Sequence, residues 1–417
     1  MPHLRLEYSW ALLASITLGA CADGGGEWQG TITDSAGIAL VTNSGAGLWG
    51  TGEGWTVEEE VRIGTAAGEP EYQFGLIVGI DVGEDGRIYV MDQQASEVRI
   101  FDADGRFVSS IGKPGAGPGE LGPAAGPVFV GPGDTISVPD ASQQRLTRFT
   151  SEGEPAGSYS LPMTGGIPVK WMETPDGELV QQAMIMAMPG QENVEPRNLL
   201  LHRAPNGQIL DTLKVMPASQ TMDFSGGQPR MTIFAPEPMW AIRPDGTLLF
   251  GNNAEYRIEV LGLDGEVRRI IRKEQVRRPI SDGDQEEFRR VIEAAWERAG
   301  MPPQALEMMS QALHFAPHYP AFANFVGGPG ATTWVQGVQS PESVQEAGGT
   351  FDIQDIGGPD WEVFDAEGRL LGVVRMPDRF MPLLFEGDHV YGVLRDDLDI
   401  QYAARMRLNR GPAGLEG

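Results

Sequence analysis

One short phrase recurs along the 417-residue chain: a glycine turn followed by alternating apolar and polar residues. It reads Asp85-Gly86-Arg87-Ile88-Tyr89-Val90, then Gly133-Asp134-Thr135-Ile136-Ser137-Val138, Asp176-Gly177-Glu178-Leu179-Val180 and Asp245-Gly246-Thr247-Leu248-Leu249-Phe250. Looser copies are Gly330-Ala331-Thr332-Thr333-Trp334-Val335 and Gly387-Asp388-His389-Val390-Tyr391. Such a turn between alternating runs signals a hairpin, because glycine supplies the positive φ that the turn needs. A second turn follows each of the first five, at Asp104-Gly105, Glu152-Gly153, Asn206-Gly207, Asp264-Gly265 and Glu367-Gly368. Counted from Gly86, Asp134, Gly177, Gly246 and Ala331, these lie 19, 19, 30, 19 and 37 residues on. Three equal spacings define a unit of strand, tight turn, strand, link, strand, outer turn, strand. That is a four-stranded antiparallel blade. The units recur close to the ~40–50 residues expected of propellers, lengthened in places by insertions.

The count is six, so the expected fold is an all-β, six-bladed β-propeller over residues 36–417. The last unit, Arg379–Arg410, has room for three strands at the usual ~5–6 residues each. A ring left open there would expose a sheet edge. The missing strand is expected from the N-terminal side, from Gly37–Thr42 or from Trp55–Ile63. Between blades 4 and 5 the period changes. Ser281-Asp282-Gly283-Asp284 is close to a capping box, and Phe288, Val291, Ile292, Ala295, Trp296 and Ala299 form a helical stripe. Gly300 and Pro302-Pro303 end that helix, and Leu306, Met309 and Leu313 extend a second to about Phe315. A helical hairpin is therefore expected over 281–315, packed on a blade, capping the channel mouth or offering a docking surface. The nearby Arg268, Arg269, Arg272, Lys273, Arg277 and Arg278 form a basic run that is either solvated or meets an acidic partner.

Blade 1 reads Gly79-Ile80-Asp81-Val82 through Ile88-Tyr89-Val90-Met91-Asp92, then Val98-Arg99-Ile100-Phe101-Asp102 and Gly105. This resembles the NHL repeat. Gly115-Ala116-Gly117-Pro118-Gly119-Glu120-Leu121 resembles the link between NHL blades, and Gly68-Glu69-Pro70-Glu71-Tyr72-Gln73-Phe74 repeats it 47 residues earlier. The resemblance extends to bacterial six-bladed propeller lipoproteins, a group largely without assigned function. It is strong over 60–160 and near 238–272, and loose in blades 3, 5 and 6.

The single cysteine, Cys21, excludes an intramolecular disulfide and a cysteine-based zinc cluster. It follows an apolar stretch from Tyr8 to Leu18, too short to span a bilayer as a helix. Leu18-Gly19-Ala20-Cys21 resembles the bacterial lipobox. The resemblance implies a lipoprotein signal peptide over 1–20, lipidation of Cys21 and a location at the cell envelope. With Ala22 rather than Asp next, it implies the outer membrane. The glycines at 24–26 open a flexible tether over 21–35. The alternative is a buried free thiol in an N-terminal helix.

Propeller chemistry sits on the central channel, so the inner strands carry the functional question. Six residues before each reference turn stand Ile80, Val128, Trp171, Trp240, Phe325 and Pro382, all apolar. Strand alternation makes this one buried face, so the tryptophans are blade core. The positions one residue to either side are expected to point toward the channel or a strand edge, and only Asp81, Lys170 and Asn324 are polar there. Hard or borderline cations need several oxygen or imidazole ligands, and this set offers none of that convergence. No metal and no cofactor is expected. His314 and His318 stand at i, i+4, but Pro317 breaks the helix that would pair them. The chain carries no Gly-x-Ser-x-Gly, Walker or His-Glu-x-x-His motif. With 58 acidic against 31 basic residues, a net charge of -27 excludes a general affinity for nucleic acid. The reading is an envelope-anchored, non-enzymatic module for a protein or small-molecule partner, with no nucleic acid. Tyr72, Asp81, Glu120, Lys170, Asn324 and His318 are its candidate channel or mouth residues. The alternative is a lyase or hydrolase of sugars, lactones or peptides using Asp81, Glu120 or His318.

Overall fold

The computed structural model describes residues 27–50, 52–186, 194–219, 221–223, 230–341, 344 and 355–411. The first 26 residues, with Cys21 and the expected signal peptide, lie outside them.

Six four-stranded antiparallel blades form the body. Their inner strands are Ile77–Val82, Phe129–Gly131, Ile167–Glu173, Pro238–Ile242, Asn324–Gly327 and Phe380–Glu386. Each inner strand touches the next and the last touches the first, so the ring is closed. Local chemistry sets the turns. Gly86 adopts φ +80 and Gly246 φ +78, conformations that cost a side-chain-bearing residue. Ahead of the glycine, Asp85, Asn206, Asp245 and Asp264 each accept the backbone N–H two residues on, which explains Asp or Asn before Gly. In blades 2 and 5 the turn is Pro-Gly-x instead, with Asp134 and Ala331 themselves at positive φ. This is why the blade 5 copy of the phrase looks loose.

The predicted apolar column is buried between blades: Ile80, Val128, Trp171, Trp240 and Phe325 are each at most 7% exposed. Burying such side chains contributes about 1.5–3 kcal/mol each. Of the two expected closing segments, the later one closes the ring. Thr56–Ile63 pairs antiparallel with Gln401–Asn409 as the outer strand of blade 6. The earlier segment has another place. Gln29–Ser35 and Ile38–Ser44 form a hairpin whose second strand runs parallel to Val267–Lys273, extending blade 4 to six strands. The segment expected to be tether through residue 35 is therefore strand from Gln29 onward, because it finds an open edge to pair with.

The insertion between blades 4 and 5 holds two helices, α1 (Asp282–Arg298) and α2 (Pro303–Ala312). Ser281 and Asp284 form the reciprocal capping box. Phe288, Val291 and Ile292 bury against Met231, Ile233, Phe234 and Tyr319. The second helix ends earlier than the apolar spacing predicts. Leu313–Phe315 turns into a strand parallel to Arg230–Ile233, which also pairs with Met222–Asp223. Backbone pairing with that segment, contributed from before blade 4, outcompetes one more helical turn.

Candidate functional site

Counted back from their turns, the blades carry Gly79, Pro127, Lys170, Met239, Asn324 and Met381 at one register position, a layer of the ring. Three of these, Met239, Asn324 and Met381, line a cavity of about 330 Å³. Its other walls include Thr232 and Phe234 of the insertion sheet, Ala323, and two acids, Glu237 and Asp355. The Glu237 carboxylate is held by the Thr221 N–H and hydroxyl and by the Ser219 hydroxyl at 2.6–3.1 Å. Fully buried Asn253 fixes the strand entry, accepting from the Glu237 N–H and donating to the Phe322 carbonyl. Asn324 accepts the Phe325 N–H through Oδ1. Among the described residues its NH₂ meets only the Met381 sulfur, at 3.7 Å, a weak acceptor. The cavity thus combines apolar walls with a few fixed polar groups, the usual make-up of a small-molecule site.

Lys170 stands in the same layer. Its Nζ donates to the Trp240 carbonyl at 2.7 Å and lies 4.8 Å from the Trp240 ring centroid. The residue as a whole is exposed, yet protein surrounds the ammonium. That burial pushes its pKa down to about 8.

Two to three residues further along the inner strands lies a pair of carboxyls. Asp81 accepts the Val82 N–H at 2.8 Å and, across the blade boundary, the Val130 N–H at 2.7 Å. Glu173 approaches the next residue, Gly131: a Cβ there would lie 3.2 Å from its Oε2. The two acids therefore flank the inner strand of blade 2. Burial pushes Asp81 up to about 7, against its two N–H bonds and with the charge of Glu386 adding to the rise. Burial, then the charge of Asp81, pushes Glu173 up to about 7, with Arg148 opposing. Each can hold a proton near neutrality. No group of three or more His, Cys, Asp or Glu suited to a metal occurs among the described residues.

Of the expected site residues, Asp81, Lys170 and Asn324 stand on inner strands, and Asn324 lines the cavity. The other three are elsewhere. Tyr72 packs on Phe101 and its hydroxyl accepts the Phe107 N–H, on the outer half of blade 1. Glu120 closes its own loop, accepting the Gly117 N–H at 2.7 Å and pairing with Lys113 at 3.3 Å. His318 bridges to Pro279 at the foot of the insertion. His314 is in the strand Leu313–Phe315, so the two histidines share no helix face. Glu173 was not anticipated. It stands one residue past the two columns read as channel-facing, and the irregular pairing between Pro168 and Lys170 disturbs the alternation of that strand.

These features define a six-bladed β-propeller with a roofed channel. A family model described as a 6-bladed beta-propeller matches residues 71–194. No match was found among curated protein sequences. Among solved structures, the chain is similar to a member of the duf4221 family from Bacteroides vulgatus, at 12% identity and TM-score 0.50, covering 86% of this chain and 99% of that one. It is also similar to virginiamycin B lyase from Staphylococcus aureus (11% identity, TM-score 0.43, 85% and 100% covered). A third is a gluconolactonase from Xanthomonas campestris (13% identity, TM-score 0.40, 81% and 87% covered). The first likeness is one of fold, and the two enzymes lend this chain no chemistry.

Proposed function

We propose that this chain is an envelope-anchored propeller of NHL-like repeats that binds a small ligand without transforming it. The observation that carries the reading is the cavity at Met239, Asn324 and Met381, where inner strands of three blades meet the insertion sheet. Its walls suit the apolar body of a ligand, and the Asn324 amide suits its orientation. Filling it tests the idea. A thermal-shift screen of small polar metabolites should yield compounds that stabilise the chain, and Ala323→Trp should abolish that stabilisation. Hits that bind Ala323→Trp as well as the parent would place the ligand elsewhere and sink the reading.

The anchor rests on Leu18-Gly19-Ala20-Cys21. In this reading residues 1–20 are a signal peptide and Cys21 carries lipid at the outer membrane. Palmitate labelling of the full chain should disappear in Cys21→Ser, and persistent labelling would refute the anchor.

One observation favours a second reading, a lyase or hydrolase: Asp81 and Glu173 both titrate near neutrality beside the channel. Turnover of a lactone, glycoside or peptide that is lost in both Asp81→Asn and Glu173→Gln would install this reading over the first.

A further inference from the structure

The outer strand of each blade is broken against its neighbour by a register shift. This holds for Phe107–Ile111, Pro155–Ser160, Ile209–Pro217, Val267–Lys273, Leu370–Arg375 and Thr56–Ile63. Such bulges spoil an edge as a template for further pairing. The hairpin added to blade 4 is different. Gln29–Ser35 pairs with Ile38–Ser44 over its whole length without a shift, and it ends the six-stranded sheet. Neither strand contains proline, and between them they carry one charge, Asp34, in a chain of net charge -27. The closing strand of blade 6, by contrast, carries Glu58, Glu59, Glu60 and Arg62. A long, regular, nearly uncharged edge is one that folded proteins ordinarily remove.

The backbone of this edge has a fixed phase. The two-residue turn Ala36-Gly37, at φ +56 and +84, makes Ser35 and Ile38 a hydrogen-bonded pair. The Glu274 N–H donates to the Asn43 carbonyl at 2.9 Å, so the odd residues of Ile38–Ser44 bond toward blade 4 and the even ones toward the first strand. The backbone groups of Gln29, Thr31, Thr33 and Ser35 are therefore used inward. Those of Gly30, Ile32 and Asp34 point off the sheet, and no strand among the described residues receives them.

We infer that this edge pairs antiparallel with the same edge of a second copy of the chain. Centred on Ile32, the pairing uses the whole strand: Ile32 meets its own counterpart, Thr31 stands opposite Thr33, Gly30 opposite Asp34 and Gln29 opposite Ser35. The single acid then faces a glycine, whereas centring two residues later would set Asp34 against itself. Roughly six backbone hydrogen bonds form, and the two extended blades become one sheet. An edge contact of this length falls short of the ~1,200–2,000 Å² of a stable interface. Dilute chains are accordingly monomers, and crowded copies, such as those held on one membrane, pair.

Disulfide trapping reads the register. In the full chain, Cys21→Ser leaves an introduced cysteine as the only thiol. One such chain carries Gln29→Cys and the other, tagged to a different mass, carries Ser35→Cys. Opposed residues there lie about 4.5 Å apart at Cα, within disulfide reach, whereas Gln29 and its own counterpart lie about 20 Å apart. Oxidised at high concentration, the mixture should give the unlike pair about tenfold or more over either like pair, the equivalent of ~1.4 kcal/mol. Ile32→Pro in both chains removes an outward N–H that bonds nothing inside the chain, so Tm should hold while the crosslink is lost. Like pairs as abundant as unlike ones, a crosslink that survives Ile32→Pro, or no crosslink at all, would overturn the inference. In cells, with Cys21 in place and the parent chain as background, the two chains should again link to each other. A different protein linked to Gln29→Cys instead would give the edge to a foreign strand and overturn the dimer.

Discussion

Asn43 shows how much one side chain can join. It is fully buried on the second strand of the N-terminal hairpin. Its NH₂ donates to the carbonyls of Arg272 in blade 4 and Gly368 in blade 5, at 3.0 and 2.9 Å. Its Oδ1 accepts the Leu370 N–H at 2.7 Å and the Trp28 indole N–H at 2.9 Å. Asn43→Ala strands these buried groups, so it should cost about 2–4 kcal/mol, read by chemical denaturation. A loss below about 0.5 kcal/mol, the size of an ordinary surface change, would show that water substitutes for the amide. The Asp81–Glu173 pair makes a different kind of prediction. Both carboxyls titrate near 7 in the folded ring, against ordinary values of 3.8 and 4.5. The folded state therefore holds protons that the unfolded chain has released between roughly pH 4 and 7. Their stabilisation is complete below about pH 4 and is lost as pH rises through 7. Asp81→Asn keeps an oxygen for one N–H and removes the charge. It should flatten the fall in stability between pH 5 and pH 8 by ~1–3 kcal/mol, the full shift being discounted for water in the channel. An unchanged slope would mean that Asp81 holds no proton there.

At the level of elements, the hairpins were legible because their signals are local. A turn glycine at φ near +80 and the acid before it are neighbours in the chain. So were the capping box and the stripe of α1, which lie within a few residues of each other. What escaped was pairing over distance. The sheet of Met222–Asp223, Arg230–Ile233 and Leu313–Phe315 is built from pieces of two to four residues, too short for any periodicity. The parallel docking of Ile38–Ser44 on Val267–Lys273 leaves no trace in either segment alone. The same non-locality hid part of the site. Asp81, Lys170 and Asn324 could be placed by counting from turns, whereas Glu173 acquires its meaning from Asp81, which lies two blades away. The closing strand carries the prediction at this scale. Deleting residues 54–64 leaves Gln401–Asn409 as an unpaired edge that keeps Ala403, Ala404, Met406 and Leu408. The shortened chain should self-associate in size-exclusion chromatography, and a peptide of residues 54–66 should restore the monomer. A shortened chain that elutes as a compact monomer without the peptide would show that the strand does not hold the ring.

As a whole molecule, the ring is fastened twice from the same end of the chain. Residues 29–44 grip the outer edge of blade 4, and residues 56–63 complete blade 6. The described chain thus starts on the circumference of the disc, away from the inner strands that carry Lys170 and Asp81. From Cys21 to Trp28 is only seven peptide steps, at most about 25 Å when stretched. Were Cys21 held in a bilayer, so short a leash would hang the disc from its rim, close against the surface. Its hub would then lie side-on to the lipid, with neither face of the ring pressed against the bilayer.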